Sequence, residues 1–318
     1  MIGFTCEHPK VQKNGKTPAG ATRYRCAVCG KSWTDNTAKL GGMRIGMEKA
    51  AQIVELLCEG MSVRAAARIT RTAKHTILDL LQVLGERCQD FMDHEIHDVC
   101  VDDVQVDEIW QYVFCKKATA KRKKYVGGCG DSYCFTAIER NTKLLVAWHM
   151  GRRDETHTTV FIEKLSRATS GHFYLSSDGW RAYPMAVWEH LGGRVDYGML
   201  VKIFRDGDPE DQRRYSPPKI VEAKRQRIFG LPDKEHICTS HCERLNGSIR
   251  TFCKRMGRLT YCFSKRWGNH RAALALFFCH YNWCRKHNGL KGLTPAMAHG
   301  LTNRVWSVRE LLEKVCPV

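Results

Sequence analysis

No stretch of this 318-residue chain is apolar for long enough to cross a bilayer. The longest run, Ala272 to Cys279, has eight residues where about 20 are needed. The first residues lack the apolar core of a signal peptide, so a cytoplasmic protein without a membrane partner is expected. Internal repeats and low-complexity tracts are also missing. Acid is scarce in one place above all. Between His241 and Gly292, Glu243 stands alone among eleven Lys and Arg residues. Over the whole chain 51 Lys and Arg face 33 Asp and Glu, a formal +18, which favours a polyanionic partner such as nucleic acid. Cysteine is abundant, with sixteen residues, but most are scattered singly in apolar or helical contexts (Cys58, Cys88, Cys134, Cys279). A chain this long needs no staples, so reduced thiols in a cytosolic compartment are expected.

The N-terminal segment has one Cys-x-x-Cys knuckle, Cys26-Ala27-Val28-Cys29-Gly30, and lacks the second. Cys6-Glu7-His8-Pro9 stands in its place. Cys6, His8, Cys26 and Cys29 can close a Cys3His structural zinc site, which makes residues 1–40 a zinc ribbon; the alternative is a ribbon without metal. Residues 41–88 carry helical spacing from Met47, a stop near Gly60, a cap at Ser62 and a second polar-fronted helix opened by Thr72. This is a helix-turn-helix pattern, and it places Arg71, Thr72, Lys74 and His75 where a recognition helix meets DNA. A plain helical bundle is the competing reading. Residues 89–103 are acidic and His-bearing, as in a connector.

Val104 to Phe114 reads as a central strand, with Val, Ile, Trp, Tyr and Phe on both alternating faces. Asp107 and Glu108 interrupt it. As neighbours they point to opposite faces, so only one is expected to serve a given site. A carboxylate in an apolar layer needs a cation or a shifted pKa, and a structural ion pair would also satisfy it. Lys116 to Lys124 reads as a solvated hairpin loop. Two more strands (133–138, 144–149), a helix from Thr156 to Ala168 and a strand from Phe173 into Asp178 follow. A crossover helix lets that strand lie parallel beside the first, with Asp178 at its carboxyl end, where open α/β sheets bind ligands. Residues 195–204 allow a fifth strand, and 205–235, with Pro209, Pro217, Pro218 and Pro232, read as a surface excursion. A helix over 241–256 puts Glu243, Asn246, Arg250 and Lys254 in one stripe, offering catalysis and DNA grip together. A solvated basic face is the bland alternative. Helices near 265–286 and 307–315 complete an α/β chain.

Asp107, Asp178 and Glu243 can meet in this topology. Three carboxylates in one cleft repel one another unless divalent cations fill it, and oxygen ligands suit Mg2+ or Mn2+. Val106-Asp107-Glu108-Ile109-Trp110, Ser177-Asp178-Gly179-Trp180-Arg181-Ala182-Tyr183 and Thr239-Ser240-His241-Cys242-Glu243-Arg244-Leu245-Asn246 resemble motifs of insertion sequence 1 family transposases, within the DDE group. Arg258 to Lys265 and Tyr281 to His287 continue the resemblance, as do the ribbon and helix-turn-helix, so it covers nearly the whole chain. Two departures are the 65 residues between Asp178 and Glu243 and the Cys6-x-His8 half-site.

The resemblance implies a zinc ribbon and helix-turn-helix followed by a ribonuclease H-like mixed sheet with flanking helices. The catalytic domain would span 104–290, with 205–235 an insertion and 291–318 a C-terminal helical segment. It further implies two Mg2+ (or Mn2+) ions on Asp107, Asp178 and Glu243, and selects Asp107 over Glu108. Double-stranded DNA partners follow, namely terminal inverted repeats and target DNA, with a homo-oligomer for synapsis and a location at the prokaryotic nucleoid. A same-fold nuclease without joining activity and a DNA-binding regulator with a decayed core are the alternatives. For the ribbon, metal analysis of a fragment covering residues 1–45, purified under reducing conditions, should give one zinc per chain. A zinc-free fragment would leave a metal-free ribbon.

Overall fold

The computed structural model describes residues 8–16, 22–34, 40, 43–125, 127–205, 219–258 and 260–316. At the N-terminal end, β1 (Val11–Lys16), β2 (Thr22–Cys26) and β3 (Ser32–Thr34) pair antiparallel in that order. Three helices follow: α1 (Met47–Cys58), α2 (Val63–Thr70) and α3 (Lys74–Glu95). Ser62 caps α2 as expected, its hydroxyl accepting from Ala65 N. Arg71 ends α2 in the left-handed region (φ 52°). Thr72 does not cap α3: its hydroxyl donates back to Thr70 O, and Ala73 takes the cap position without a side-chain bond.

The expected connector at 89–103 is instead helix and strand. Helix α3 runs through Arg87 and Asp90 to Glu95, because Leu84, Cys88 and Met92 keep a buried stripe four residues apart. Then β4 (Val99–Cys100) pairs parallel with β8 (Thr169–Ser170).

The main sheet has six strands. β5 (Asp103–Val113), β6 (Gly130–Glu139) and β7 (Leu145–Gly151) form an antiparallel meander. The expected loop after β5 contains the short helix α4 (Lys117–Arg122). α5 (Glu155–Ala168), capped by Asp154, crosses over to β9 (Phe173–Asp178), which lies parallel to β5. After α6 (Tyr183–His190), β10 (Val195–Arg205) adds parallel to β9. The expected 205–235 excursion is half strand: β11 (Lys219–Phe229) pairs antiparallel with β10 and forms the sheet edge, while 206–218 lie outside the described residues. The order is β11-β10-β9-β5-β6-β7, a mixed sheet with flanking helices compatible with a ribonuclease H-like fold.

Helix α7 (Ser240–Phe252) stops four residues short of the expected end, and a 3-10 turn follows at Lys254–Met256. α8 (Trp267–Trp283) is buried nearly all round, and α9 (Pro295–His299) and α10 (Val308–Val315) close the chain. One apolar core runs from Leu40 to Cys316, taking in the N-terminal helices, the sheet and α8. No helix among the described residues is long and apolar enough to cross a membrane.

The tightest joint in that core is the crossing of α3 and α8. A Cβ at Gly85 would lie 2.3 Å from the Cα of Ala272, a backbone atom that no rotamer change can move away. Gly85→Ala should therefore cost about 3 kcal/mol in urea unfolding, at the upper end of the usual overpacking range. Stability within about 0.5 kcal/mol of wild type, the spread of neutral surface changes, would mean that the helices part without strain.

Candidate active site

Strand β5 pairs with β9 only from Asp103, opposite Tyr174, to Val106, opposite Ser177. β9 ends one residue later at Asp178, while β5 continues to Val113. Farther along, residues 250–264 cover the free edge. Arg250 Nη2 donates to Trp110 O (3.2 Å), Gln111 Nε2 donates to Arg255 O (2.9 Å), and Phe114 N donates to Ser264 O (2.7 Å). Between the end of β9 and this cover lies a notch in the sheet, and Asp107 and Glu108 stand in it.

Asp107, Glu108 and Asp178 each bring a carboxylate oxygen within 4.8 Å of the other two. The expectation that only one of two neighbouring strand residues can serve a site therefore fails. Alternation separates faces where strands flank both sides; at an open edge, both side chains can turn into the same gap.

Each acid has a distinct set of partners. Asp107 Oδ1 accepts from Glu108 N (2.8 Å) and Oδ2 from Asn246 Nδ2 (2.9 Å). Asp178 Oδ1 accepts from Trp180 N (3.0 Å). Arg153 joins the other two acids, donating to Glu108 Oε2 (3.2 Å) and Asp178 Oδ2 (3.1 Å). Its guanidinium lies 4.4 Å from the Trp180 ring centroid, a cation–π contact that fixes the fork. Burial first, and the Asp178 carboxylate second, push Asp107 up to about 7 and Glu108 up to about 8. The buried Tyr183 hydroxyl hydrogen-bonds the Glu108 carboxylate and opposes part of this rise.

This donor set fits a divalent cation. It is all carboxylate oxygen, its groups repel one another, and an oxygen of each lies within 4.8 Å of the others. A hard ion such as Mg2+ or Mn2+ would satisfy all three conditions, so Asp107, Glu108 and Asp178 could hold one.

Glu243 sits on the first turn of α7, close enough for its charge to contribute to the raised Asp107 value. Its carboxylate is ion-paired with Lys202 of β10, accepts from Thr239 Oγ1 (3.4 Å) and is about half exposed. The expected stripe of Glu243, Asn246, Arg250 and Lys254 does not hold as one surface. Asn246 is spent on Asp107. Arg250 bonds the carbonyls of Met256 (2.9 Å) and Trp110 (3.2 Å), not Glu243, and Lys254 lies beyond the helix in the 3-10 turn.

Elsewhere, Arg71, Lys74 and His75 are exposed and Thr72 half-buried around the start of α3. In the N-terminal sheet, His8, Cys26 and Cys29 offer ligand atoms within 4.8 Å of one another; Cys6 lies outside the described residues. Backbone hydrogen bonding, from Cys29 first, draws the Cys26 thiol down to about 6, as suits a ligand thiolate.

Sequence reasoning missed Glu108, Arg153, Tyr183 and Lys202. Arg153 had a local signal: it is the second of two arginines between a strand-ending glycine, Gly151, and the helix cap Asp154, at the mouth of a crossover. Lys202 had none: it is one of two cations on a largely apolar strand, with nothing in the sequence to link it to Glu243.

The raised carboxyls carry a pH signature. In the fold Asp107 and Glu108 keep protons that the unfolded chain releases near pH 4. Between pH 4 and 8 the folded protein thus binds the extra protons, and its stability falls as pH rises. The buried histidines His149, His270, His280 and His287, drawn down to about 3 or 4 mainly by burial, act in the opposite sense below about pH 6.5. In EDTA, between pH 6.5 and 9, the melting temperature of Glu108→Gln should fall less than that of wild type. Equal slopes would show that Glu108 is ionised throughout.

Among solved structures, the chain is similar to a piggyBac transposase synaptic complex with hairpin DNA, at a TM-score of 0.40 and 11% identity, over 85% of this chain and 70% of that one. No family model matches the sequence. The likeness is distant, and the chemistry of the site rests on its own residues.

Proposed function

We propose that this chain is a metal-dependent DNA transposase of the insertion sequence 1 family, with a ribonuclease H-like core. One observation carries the proposal: three mutually repelling carboxylates gathered at the open end of a parallel strand pair, two of them holding protons near neutral pH.

In this reading Asp107 and Asp178 are the primary metal ligands. Glu108 is the third on geometry, and Glu243, assigned by the resemblance, would join by exchanging Lys202 for the ion. Magnesium or manganese bound there supplies positive charge to the attacking and leaving oxygens of a phosphodiester. The chain's own groups do the remainder. Asn246 holds Asp107 in one orientation. Arg153, stacked on Trp180, keeps Glu108 and Asp178 together and excludes one of the two charges from repelling freely. The reactions are strand hydrolysis, which leaves a 3′-hydroxyl, and attack of that hydroxyl on target DNA; both are in-line displacements at phosphorus.

The other parts follow the same reading. Cys6, His8, Cys26 and Cys29 hold a structural zinc, supported by the proximity of the last three. Residues 1–40 and 41–88 grip the terminal inverted repeats, with Arg71, Thr72, Lys74 and His75 at the duplex, and synapsis of two ends calls for a homo-oligomer.

Asp107→Asn and Asp178→Asn should each abolish Mg2+-dependent cleavage of end DNA, by at least about 100-fold, while gel shifts stay near wild type. Glu108→Gln and Glu243→Gln, compared side by side, identify the third acid by the larger loss. Cleavage by either Asp variant near the wild-type rate would remove that residue from the site. Cleavage without any joined product would favour the nuclease reading.

A further inference from the structure

A second site lies at the other end of α7. The start of α2, the first turns of α3, the segment 253–266 and one side of α8 enclose a groove of about 580 Å3. Six Lys and Arg residues line it (Arg64, Lys74, Lys254, Arg255, Lys265 and Arg266), against one acid, Asp79. Among the described residues, none of Arg64, Lys74, Lys254, Lys265 and Arg266 has an ion-pair partner, and all five are exposed. Among these cations the lining is apolar, with Leu57, Met61, Leu78 and Phe263 partly exposed as its floor. Tyr261 stands at the edge of the groove with 99% of its surface exposed.

We propose that this groove receives an unpaired DNA strand, with bases against Tyr261 and the apolar floor and phosphates along the cationic rim. The proposal rests on the nucleic-acid part of the reading above. The two halves of the lining select the occupant. A duplex keeps its bases stacked inside two phosphate rails, so it could use the rim but would leave the floor and Tyr261 idle. An apolar partner helix could fill the floor but would take five exposed cations out of water with Asp79 the single acid in the lining, which is costly. Only an unpaired strand presents base faces and phosphates together, and base-on-aromatic stacking with a basic track is how such strands are held.

The groove is also tied to the carboxylates. Gln111 of β5 and Phe114 just past its end anchor the 253–266 segment through Arg255 O and Ser264 O, and β5 is the strand that carries Asp107 and Glu108. From Asn246, which holds Asp107, to its last residue Phe252, α7 rises about 9 Å and leads straight into the groove-lining Cys253. The groove and the acid notch therefore share one helix. This also gives a role to Lys74 and His75 that duplex reading alone does not: both line the groove, so they can share the strand with the 253–266 segment.

The test is fluorescence anisotropy of the full-length protein in EDTA, where nothing is cut. The probes are a labelled mixed-sequence 12-nucleotide strand and the corresponding duplex. Tyr261→Ala should weaken single-strand binding about tenfold and duplex binding less than twofold, and Tyr261→Phe should restore the strand affinity. Replacing Lys254 and Lys265 together by Ala should flatten the salt slope of strand binding by about 1.4, two contacts at about 0.7 each. Tyr261 is fully exposed, so its loss does not threaten the fold. Unchanged strand affinity in Tyr261→Ala, or equal losses for strand and duplex, would overturn the proposal. Tyr261-dependent strand binding in a protein that never cleaves DNA would overturn the transposase reading and leave the groove standing.

Discussion

A strand edge left open inside a protein has backbone groups that must find partners, and β5 has such an edge for seven residues past its last pairing with β9. Much of the molecule is arranged around closing it. Residues 250–264 bond Trp110, Gln111 and Phe114 from the side, which turns a basic, irregular segment into a fixed wall. What stays open is the short gap at Asp107 and Glu108, with Asp178 hanging from the end of β9. The acids gather there because the sheet stops there. The same segment that seals the edge forms one wall of the cationic groove, so both candidate sites depend on this one interruption of strand pairing.

Electrostatics then sets the state of the notch. Burial and the Asp178 charge favour the protonated forms of Asp107 and Glu108, while Arg153 and Lys202 supply the cations at hand. Arg153 is shared between two acids and Lys202 is committed to Glu243. The positive charge present is thus distributed around the gap and does not fill its centre. A divalent ion would displace the protons on Asp107 and Glu108, which couples metal binding to pH in the direction of tighter binding as pH rises.

Much of the sheet was legible in the sequence. Val, Ile, Trp and Tyr mark β5 on both faces, and a meander followed by a crossover helix lets the strand ending in Asp178 lie parallel beside it, as it does. The sheet edge was not legible. Lys219 to Phe229 alternates Lys, Glu and Arg among its apolar residues, the charged composition that protects an edge strand and also makes it read as a loop. Helix α3 looked finished at 88 because polar residues follow, yet its buried stripe continues through Met92. The meeting of Asp107 and Asp178 was foreseen. A face argument that assumes flanking strands on both sides allowed only one of Asp107 and Glu108, and the resemblance then chose Asp107. Arg250 was misread for a related reason: helical spacing alone cannot reveal that its guanidinium is used up on two carbonyls.

The central claim is that Asp107, Glu108 and Asp178 form a metal centre. Crystals soaked in Mn2+ and measured at the manganese absorption edge test it directly. Anomalous density within about 2.5 Å of oxygens from Asp107, Glu108 and Asp178 is the result this account predicts. Density confined to other acidic patches, with Arg153 still bridging Glu108 and Asp178 at saturating Mn2+, would contradict it.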